Sequence, residues 1–270
     1  MLSVWLGFFF GLLIGSFLNV CIYRLPRDLS VIRPRRSYCP HCEATIAWYD
    51  NIPLLSYFML RGRCRRCAAG ISARYPVVEL LTGILFAVAM YQHGPTADGV
   101  KACLFAFLLI GLIFSDLEQF ILPDEFTLGG LAAGLLLAWF IPLHDETAPA
   151  LLWLVGVDVA GAWASLADAA LGAALPAGFL WLGGSLYEKV RRREGLGLGD
   201  VKMVAMMGAF LGLQGALFAM IVGSVLGSIM GLTYIKLAGK DPATTHLPFG
   251  TFLGIGGLTV LYGGTSLLGW

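Results

Sequence analysis

Residues 2–23 read LSVWLGFFFGLLIGSFLNVCIY, a stretch without a single charged side chain. A membrane-spanning helix needs about 20 mostly apolar residues, so this stretch is long enough to cross a lipid bilayer. No positively charged segment precedes it and no small-residue cleavage site follows it, as a secretory signal would require. We therefore expect residues 2–23 to form a retained first membrane span.

Similar apolar stretches recur along the chain. Hydrophobic residues make up 58% of the 270 residues and charged residues only 13%, whereas a soluble domain carries about a quarter charged residues. The mean hydropathy of +0.79 also argues against a water-soluble fold and against disorder. The sequence predicts an all-α polytopic membrane protein with about eight transmembrane helices. After 2–23, the candidate spans are roughly 77–93, 99–117, 126–143, 169–188, 202–214, 216–237 and 249–268.

One extended polar stretch, residues 24–76, separates the first two spans. It contains ten of the eighteen Lys and Arg residues of the chain, and basic loops stay on the cytoplasmic side of a membrane. A second basic cluster at 189–193 agrees with this orientation when eight spans are present, and both termini then lie outside the cytoplasm. Most of these arginines need do no more than set the topology. Anionic lipid headgroups are the natural partner of such a basic loop. The whole chain has a net charge of only +1, which indicates no nucleic acid partner.

Residues 144–168 fit the pattern of spans less well. They begin with His144, Asp145 and Glu146, continue through an apolar run, and are interrupted by Asp158. A ninth full span here would place the basic cluster 189–193 outside the cytoplasm and break the charge rule. We therefore expect an amphipathic helix that lies on the outer membrane surface.

Four of the six cysteines form two close pairs within the basic loop. Cys39 and Cys42 enclose two residues, and so do Cys64 and Cys67. Paired C-x-x-C turns at this separation are typical of zinc ribbons, because zinc favours four tetrahedral thiolates. The loop has too little apolar content for a core of its own, so a bound metal would supply folding energy. We expect a structural zinc site, since four thiolates leave no open position for water.

Two other interpretations of the cysteine pairs remain open. Two disulfides are rare in the reducing cytoplasm to which the loop is assigned, and an exposed redox dithiol is the other alternative. The remaining cysteines, Cys21 and Cys103, lie in apolar runs where a thiol behaves as a small hydrophobic group. The predicted domains are a first membrane helix at 1–23, a cysteine-rich zinc-binding domain at 24–76, and a membrane bundle at 77–270.

Two aspartates are predicted to lie at the same edge of the membrane. Asp116 ends the apolar run 104–115, and Asp200 follows the glycine-rich sequence 195–199 and opens the run 201–213. An ionisable group in a membrane span is a candidate functional residue. Two facing carboxylates can share one proton, so that one acts as a base on water and the other as an acid toward a peptide carbonyl. Taken singly, each aspartate is better explained as an ordinary helix-end residue than as a catalyst, and Asp200 is also a natural helix cap.

Other polar residues nearby have simpler explanations beside the functional one. Asp124 follows a proline and could cap a helix, Lys202 could be one more cytoplasmic positive charge, and Glu79 could pair with an arginine. The glycine-rich sequence before Asp200 is not a phosphate loop, because no Gly-Lys-Ser/Thr follows it, and it follows no predicted strand, which disfavours a dinucleotide fold.

Taken together, these segments resemble the type IV prepilin peptidases, bifunctional leader peptidases and N-methyltransferases of type IV pilus and type II secretion systems. The resemblance extends almost from end to end. The Gly-x-Gly-Asp element with an upstream helix-end aspartate is specific to intramembrane aspartyl proteases of this kind. The cysteine quartet narrows the resemblance to the long, bifunctional bacterial form of these proteases. The matching segments are Gly15–Pro26, the four cysteines, Arg74–Leu80, Asp116–Asp124, Gly197–Lys202 and Pro248–Gly250.

The resemblance implies that Asp116 and Asp200 are the catalytic pair. It implies a prepilin or pseudopilin substrate, whose basic leader is cut at the cytoplasmic face of the bacterial inner membrane. The new N-terminal residue would then be methylated with S-adenosylmethionine. The sequence contains no S-adenosylmethionine fingerprint, so methylation rests on the resemblance alone. Gly15, Asn19 and Glu79 are family-motif positions that could serve it, although Gly15 could equally be a packing residue and Asn19 an interhelical hydrogen-bonding group.

Two alternative functions come from other classes. The first is an ion-coupled transporter or channel with carboxylates on its path, although transport sites lie near the membrane midplane rather than at an edge. The second is a non-catalytic zinc-bearing assembly scaffold. The sequence does not distinguish a pilus client from a secretion client, and it does not define the oligomeric state.

Overall fold

The computed structural model describes residues 1–34, 36–143, 147–192, 196–239 and 247–267. Outside these ranges lie one arginine of the basic loop, one of the second basic cluster, the first glycine of 195–199 and the three residues that open 144–168: Arg35, Arg193, Gly195, His144, Asp145 and Glu146. The chain divides into two compact units, Met1–Gly111 and Leu112–Trp270. This division differs from the predicted domains 1–23, 24–76 and 77–270, which remain a prediction.

The first unit is built around a pair of packed helices. Helix α1 (Leu2–Arg24) packs against α3 (Arg74–His93), and the short helix α2 (Leu55–Met59) lies in the polar loop between them. Glycines of α1 bring the two backbones close: a Cβ on Gly11 would lie 2.8 Å from the Cα of Gly83. Small residues four apart permit this close approach in lipid.

Helix α4 (Ala97–Gln119) begins in the first unit and ends in the second. The second unit then contains α5 (Asp124–Phe140), α6 (Thr147–Leu154), α7 (Ala162–Arg191), α8 (Leu198–Ala238) and α9 (Phe249–Leu267). In this unit α8 is the central helix, because α5, α7 and α9 all pack against it. Its glycines again allow close contact, since a Cβ on Gly223 would lie 2.9 Å from the Cα of Leu253 in α9.

Helix α8 is broken in its middle. Gly212 has φ 76° and ψ −176°, which are not helical angles and which favour glycine. Gly172 of α7 lies against this break, since a Cβ on Gly172 would be 2.6 Å from the carbonyl carbon of Gly212. The two arms of α8 correspond to the predicted spans 202–214 and 216–237.

The prediction of an all-α polytopic membrane protein is confirmed. Every predicted span coincides with a helix or with one arm of α8, and the helix predicted at 169–188 is longer, at Ala162–Arg191. In the described part of the chain, α5 is slightly short, with 17 residues, and Phe249–Gly264 is a shorter apolar helix. That eight segments cross the membrane therefore stays a prediction. Among the described residues, five helices are long and apolar enough to do so: Leu2–Arg27, Arg74–His93, Ala97–Gln119, Ala162–Arg191 and Leu198–Ala238.

The amphipathic helix predicted for 144–168 is not one continuous helix, and its place on the outer membrane surface stays a prediction. Of the described residues 147–161, only the eight of α6 are in an α-helix before α7 begins at Ala162, and those eight carry no charge. The connection between the two helices is broken by Gly156 and Gly161, which have φ of 81° and 60°. Glycine readily adopts such angles, and they interrupt a helix.

Residues of α7 hold this segment in place. The hydroxyl of Ser165 donates to the carbonyl of Ala138 at 2.7 Å and accepts the backbone N–H of Leu143 at 3.0 Å. Asp168, which is fully buried, accepts the N–H of Ala148 at 3.3 Å. These contacts satisfy backbone groups at the end of α5 and the start of α6, so they attach α6 to α7.

Candidate active site and cysteine cluster

Asp116 lies in the last turn of α4 and is only 5% exposed. Its Oδ2 atom accepts two hydrogen bonds from Thr251 in the first turn of α9. The backbone N–H of Thr251 is 2.6 Å from Oδ2, and its hydroxyl is 3.0 Å away. A buried carboxylate needs such donors, because removing a charge from water is costly unless hydrogen bonds replace the lost hydration.

Asp200 lies in the first turn of α8 and is half-buried. The glycines before it allow close packing of its loop. A Cβ on Gly199 would lie 3.2 Å from side-chain atoms of Leu122, and a Cβ on Gly197 would lie 3.5 Å from Oδ2 of Asp200 itself. A Cβ at position 199 would therefore require Leu122 to shift slightly, whereas a Cβ at position 197 would make only an ordinary van der Waals contact with the Asp200 carboxyl.

Leu122 connects the two aspartates within the second unit. It contacts Gly199, next to Asp200, and it also contacts Gly250, where a Cβ would lie 3.0 Å from a Leu122 methyl and 3.2 Å from Cγ of Asp116. The two carboxyl groups are close enough for their charges to interact. The structure therefore brings together the two acids singled out from the sequence.

The ends of three helices form this site. Gly254 of α9 contacts Ile113 of α4, and a Cβ on Gly254 would lie 3.3 Å from the terminal methyl of Met203 in α8. Met203 is fully buried. Because a dense core permits little movement, this contact keeps the ends of α4, α8 and α9 in register. Two carboxylates held in this way can share one proton and divide the roles of acid and base.

Sequence reasoning missed Thr251. The matching segment Pro248–Gly250 ends one residue before it, and 135 residues separate it from Asp116. A hydroxyl residue in the first turn of a helix beside this motif was the available signal. Nothing local in the sequence connects it to Asp116.

Lys202 and Asp124 form an ion pair instead of contacting the catalytic candidates. Nζ of Lys202 lies 2.7 Å from Oδ1 of Asp124, and both side chains are partly exposed. Asp124 is the first residue of α5, and the cap position is occupied by Pro123, so the expected capping role of Asp124 is not observed. The pair links the start of α5 to the start of α8 at the edge of the site.

The four cysteines predicted to bind metal form one cluster in the first unit. The Sγ atoms of Cys39, Cys42, Cys64 and Cys67 all lie within 4.8 Å of one another. All four are free thiols, and the Sγ atoms of Cys39 and Cys67 are 3.8 Å apart. The spacing fits a single ion surrounded by four sulfurs, so the cluster could hold a metal ion.

The two halves of the cluster repeat the same turn 25 residues apart. In each half the N–H of the first cysteine donates to a carbonyl five residues later, and that cysteine's carbonyl accepts an N–H from four residues later. The residue with that N–H has positive φ in both halves, 55° at Glu43 and 57° at Ala68. The matching bonds are Cys39 to Ala44 and Glu43 to Cys39 in the first half, and Cys64 to Ala69 and Ala68 to Cys64 in the second.

The second turn favours the thiolate form of one sulfur. Backbone N–H groups of Cys67 and Arg66 lower the pKa of the Cys64 thiol to about 6, whereas burial and the neighbouring cysteine sulfurs raise the pKa of the Cys67 thiol to about 11. The thiolate is the form that binds metals. An exposed ion pair links two parts of the loop, since Arg65 Nη2 lies 2.6 Å from Oδ1 of Asp50. The hydrogen bonds from Arg65 lower the pKa of the Asp50 carboxyl below its ordinary value.

Asn19 and Glu79 have packing partners in the first unit. Nδ2 of Asn19 donates to the carbonyl of Tyr75 at 3.0 Å, which joins α1 to α3. Oε2 of Glu79 accepts the backbone N–H of Leu54 at 2.8 Å and thereby attaches the polar loop to α3. Gly15 packs against the backbone of Glu79. The interhelical role expected for Asn19 and the packing role expected for Gly15 are confirmed.

The comparisons with known proteins agree with these features. Residues 9–93 match the bacterial peptidase A24 N-terminal domain, and residues 103–232 match the type IV leader peptidase family. Proteins named prepilin leader peptidase/N-methyltransferase are similar over most of this chain. The relative from Aeromonas hydrophila is 36% identical over 98% of this chain and 92% of its own length. The relative from Legionella pneumophila is 35% identical over 97% and 91%.

A third relative with the same name, from Myxococcus xanthus, is 43% identical over 88% of this chain. In that case the alignment spans 65% of the length of the relative. No solved structure matches the chain.

Proposed function

The chain belongs to the type IV leader peptidase family, and we propose that Asp116 and Asp200 are the catalytic pair with which it cleaves prepilins. One observation carries the proposal: Leu122 packs against Gly199, directly before Asp200, and against Gly250 beside the carboxyl of Asp116, and the two carboxyl groups are close enough for their charges to interact. Both aspartates lie inside the residues that match the family. Asp116 is buried and Asp200 is half-buried, so their charges repel in a poorly hydrated site. Such a pair retains one proton, as aspartyl protease chemistry requires.

In the proposed reaction, water is the nucleophile. One carboxylate removes a proton from water while the oxygen of that water forms a bond to the scissile carbonyl carbon, and the other carboxyl gives its proton to the carbonyl oxygen. The resulting diol then collapses. Its C–N bond breaks, the departing amine takes the proton from the first carboxyl, and the second carboxylate recovers its proton from a diol hydroxyl. The pair ends in its starting protonation state.

The proposed substrate is a prepilin or pseudopilin with a basic leader and a hydrophobic helix. The leader would be cut at the cytoplasmic face of the bacterial inner membrane, with the basic residues of 24–76 and 189–192 on that face. A site at the ends of membrane helices suits this task, because it can accept a helix from lipid and still reach water. Anionic lipid headgroups are the proposed partner of the basic loop.

We propose that residues 24–76 form a zinc-binding domain. The four thiols fit the group: they lie within 4.8 Å of one another on two matching turns, and four thiolates complete a tetrahedral zinc shell. Zinc bound there would supply folding energy to a loop with little apolar core. It would play no part in cleavage, because no coordination position remains for water.

Methylation of the new N-terminus with S-adenosylmethionine is proposed because the relatives are named N-methyltransferases. The residues that would bind the methyl donor stay unassigned. Asn19 and Glu79 already have partners within the first unit, which supports packing roles for both.

The test uses purified protein, a synthetic prepilin and radiolabelled S-adenosylmethionine, with leader loss and label transfer scored separately. We expect Asp116→Asn and Asp200→Asn each to abolish leader loss. Asp158→Asn is the matched control, because Asp158 is exposed and lies outside the helices. Full cleavage by either catalytic-site variant would remove that residue from the active site.

A further inference from the structure

Both hydrogen bonds from Thr251 to Asp116 go to the same carboxyl oxygen. The backbone N–H and the hydroxyl of Thr251 lie within hydrogen-bond distance of Oδ2, at 2.6 and 3.0 Å. In the described part of the chain, no donor contacts Oδ1. Oδ1 is therefore the oxygen that remains for water or for a proton shared with Asp200.

The position of Thr251 explains why its N–H is free to donate. Thr251 is the third residue of α9, and the first four N–H groups of a helix have no acceptor within that helix. Asp116 accepts one of them from outside, and the N-terminal end of α9 also favours a negative charge there. The hydroxyl is 3.2 Å from the carbonyl of Ile113 as well. Its single hydrogen favours the carboxylate, because hydrogen bonds to an ionised acceptor are the stronger ones.

Asp200 has no equivalent donor. It lies in the first turn of α8, where the helix end favours negative charge, but no hydrogen-bond donor of the described residues reaches its carboxyl. Lys202, two residues further on, is paired with Asp124. Among the described residues, the two members of the pair are therefore unequal: the carboxyl of Asp116 has two direct donors and the carboxyl of Asp200 has none.

We propose that Thr251 is a positioning residue that keeps Asp116 ionised, so that Asp200 carries the proton of the pair. This inference rests on the proposed function and assigns its two roles. Oδ1 of Asp116 takes the proton from water as the water oxygen attacks the carbonyl carbon. Asp200 gives its proton to the carbonyl oxygen and recovers one when the diol collapses.

The charged groups around Asp116 are few. The described residues of α9 include no Asp, Glu, Lys, Arg or His. Helix α8 contributes Asp200 and Lys202, and α5 contributes Asp124, paired with Lys202. Glu118 of α4 and Glu125 of α5 are exposed. In a plot of kcat against pH, the fall of kcat at low pH (the acidic limb) is therefore expected to reflect mainly the protonation of Asp116. Protonation of this carboxylate would remove the base.

The experiment measures kcat and KM for prepilin cleavage by full-length purified variants, from about pH 4 to about pH 9. Thr251→Val removes the hydroxyl and keeps the N–H. Thr251→Pro removes both donors at a helix position where the N–H has no role in the helix. Thr251→Ser restores the hydroxyl. Thr127→Val is the control, because Thr127 is fully buried in α5 and its hydroxyl bonds a carbonyl of Pro123 at 3.2 Å.

Loss of a donor destabilises the ionised form of Asp116, so the base becomes protonated at a higher pH. We expect Thr251→Val to move the acidic limb of kcat upward by roughly one pH unit, equivalent to a tenfold change in the proton equilibrium. Thr251→Pro should move it further, and Thr251→Ser should restore it. KM should change little.

A uniform loss of kcat at every pH without movement of the limb, or a Thr251→Ser variant that behaves like Thr251→Val, would overturn the inference. If Thr251→Pro does not fold, the result for Thr251→Val alone decides whether Thr251 has this role.

The proposed function and the proposed role of Thr251 can be overturned separately. Full cleavage by Asp116→Asn overturns the proposed function, whereas an inactive Asp116→Asn together with an unmoved limb in Thr251→Val overturns only the role of Thr251.

Discussion

The cysteine cluster and the aspartate site are assembled in opposite ways. The cluster is formed by two copies of one short turn, and every backbone bond that shapes a turn joins residues at most nine positions apart. The aspartate site is formed by three helix ends, and its key hydrogen bond joins residues 135 positions apart. The turns have little core of their own and are expected to need metal, whereas the aspartates are positioned by packed helices. Damage to one region should therefore leave the other largely intact.

Removing a carboxylate of the site should have the largest effect. We expect Asp116→Asn or Asp200→Asn to lower kcat by on the order of a thousandfold or more, since both groups are needed in one step. Zinc content measured on the same samples should equal that of the wild-type protein. Loss of zinc together with activity would show that the two regions do not form separately.

Removing a cysteine should produce the converse result. Cys39→Ser is expected to lose the metal, about one zinc per chain in the wild-type protein, and to make residues 24–76 readily cleaved by protease. Cys103→Ala is the control, since Cys103 lies outside the cluster. The measurement is metal analysis with limited proteolysis. Wild-type protein that contains no zinc and yet keeps a protease-resistant loop would contradict the metal assignment.

Crowding the aspartates should have an intermediate effect. In Gly250→Ala the new Cβ would lie 3.2 Å from Cγ of Asp116 and 3.0 Å from a methyl of Leu122, so one of them must shift. A displacement of a few tenths of an ångström is expected to lower kcat by roughly tenfold. Gly178→Ala is the matched control, because a Cβ there meets no atom within 4 Å. Equal kcat for both variants would show that Gly250 does not constrain Asp116.

Removing the external ion pair of the cysteine loop should have the smallest effect. Arg65→Ala loses the contact with Asp50, but surface ion pairs contribute little. We expect zinc removal by a chelator to become less than about threefold faster at low salt and the difference to vanish at high salt, because salt screens exposed charges. A large effect that persists at high salt would show that Arg65 supports the turn by packing.

The sequence predicted the local features of both regions well. The four cysteines meet because each pair lies on one turn, and the apolar runs predict the helices because both are properties of neighbouring residues. The carboxylates of Asp116 and Asp200 could be singled out for the same reason, since a charge at the end of an apolar run is visible locally.

The features that the sequence did not predict depend on packing between distant segments. Thr251 reaches Asp116 only because α9 packs beside the end of α4, and no local pattern encodes that contact. The division of 144–168 between α6 and α7 depends likewise on Ser165 and Asp168, whose polar groups bond backbone atoms of preceding segments. The apolar run in that segment indicated a helix but not its length.

The most direct test of the shared-proton pair is a double-variant comparison. Residual cleavage by Asp116→Asn, by Asp200→Asn and by the double variant would be measured in long single-turnover incubations with the same prepilin. Groups that act as a unit give nonadditive losses, so we predict equal residual rates for all three variants. Losses that multiply in the double variant would contradict the account, because they would mean that the two carboxylates act independently.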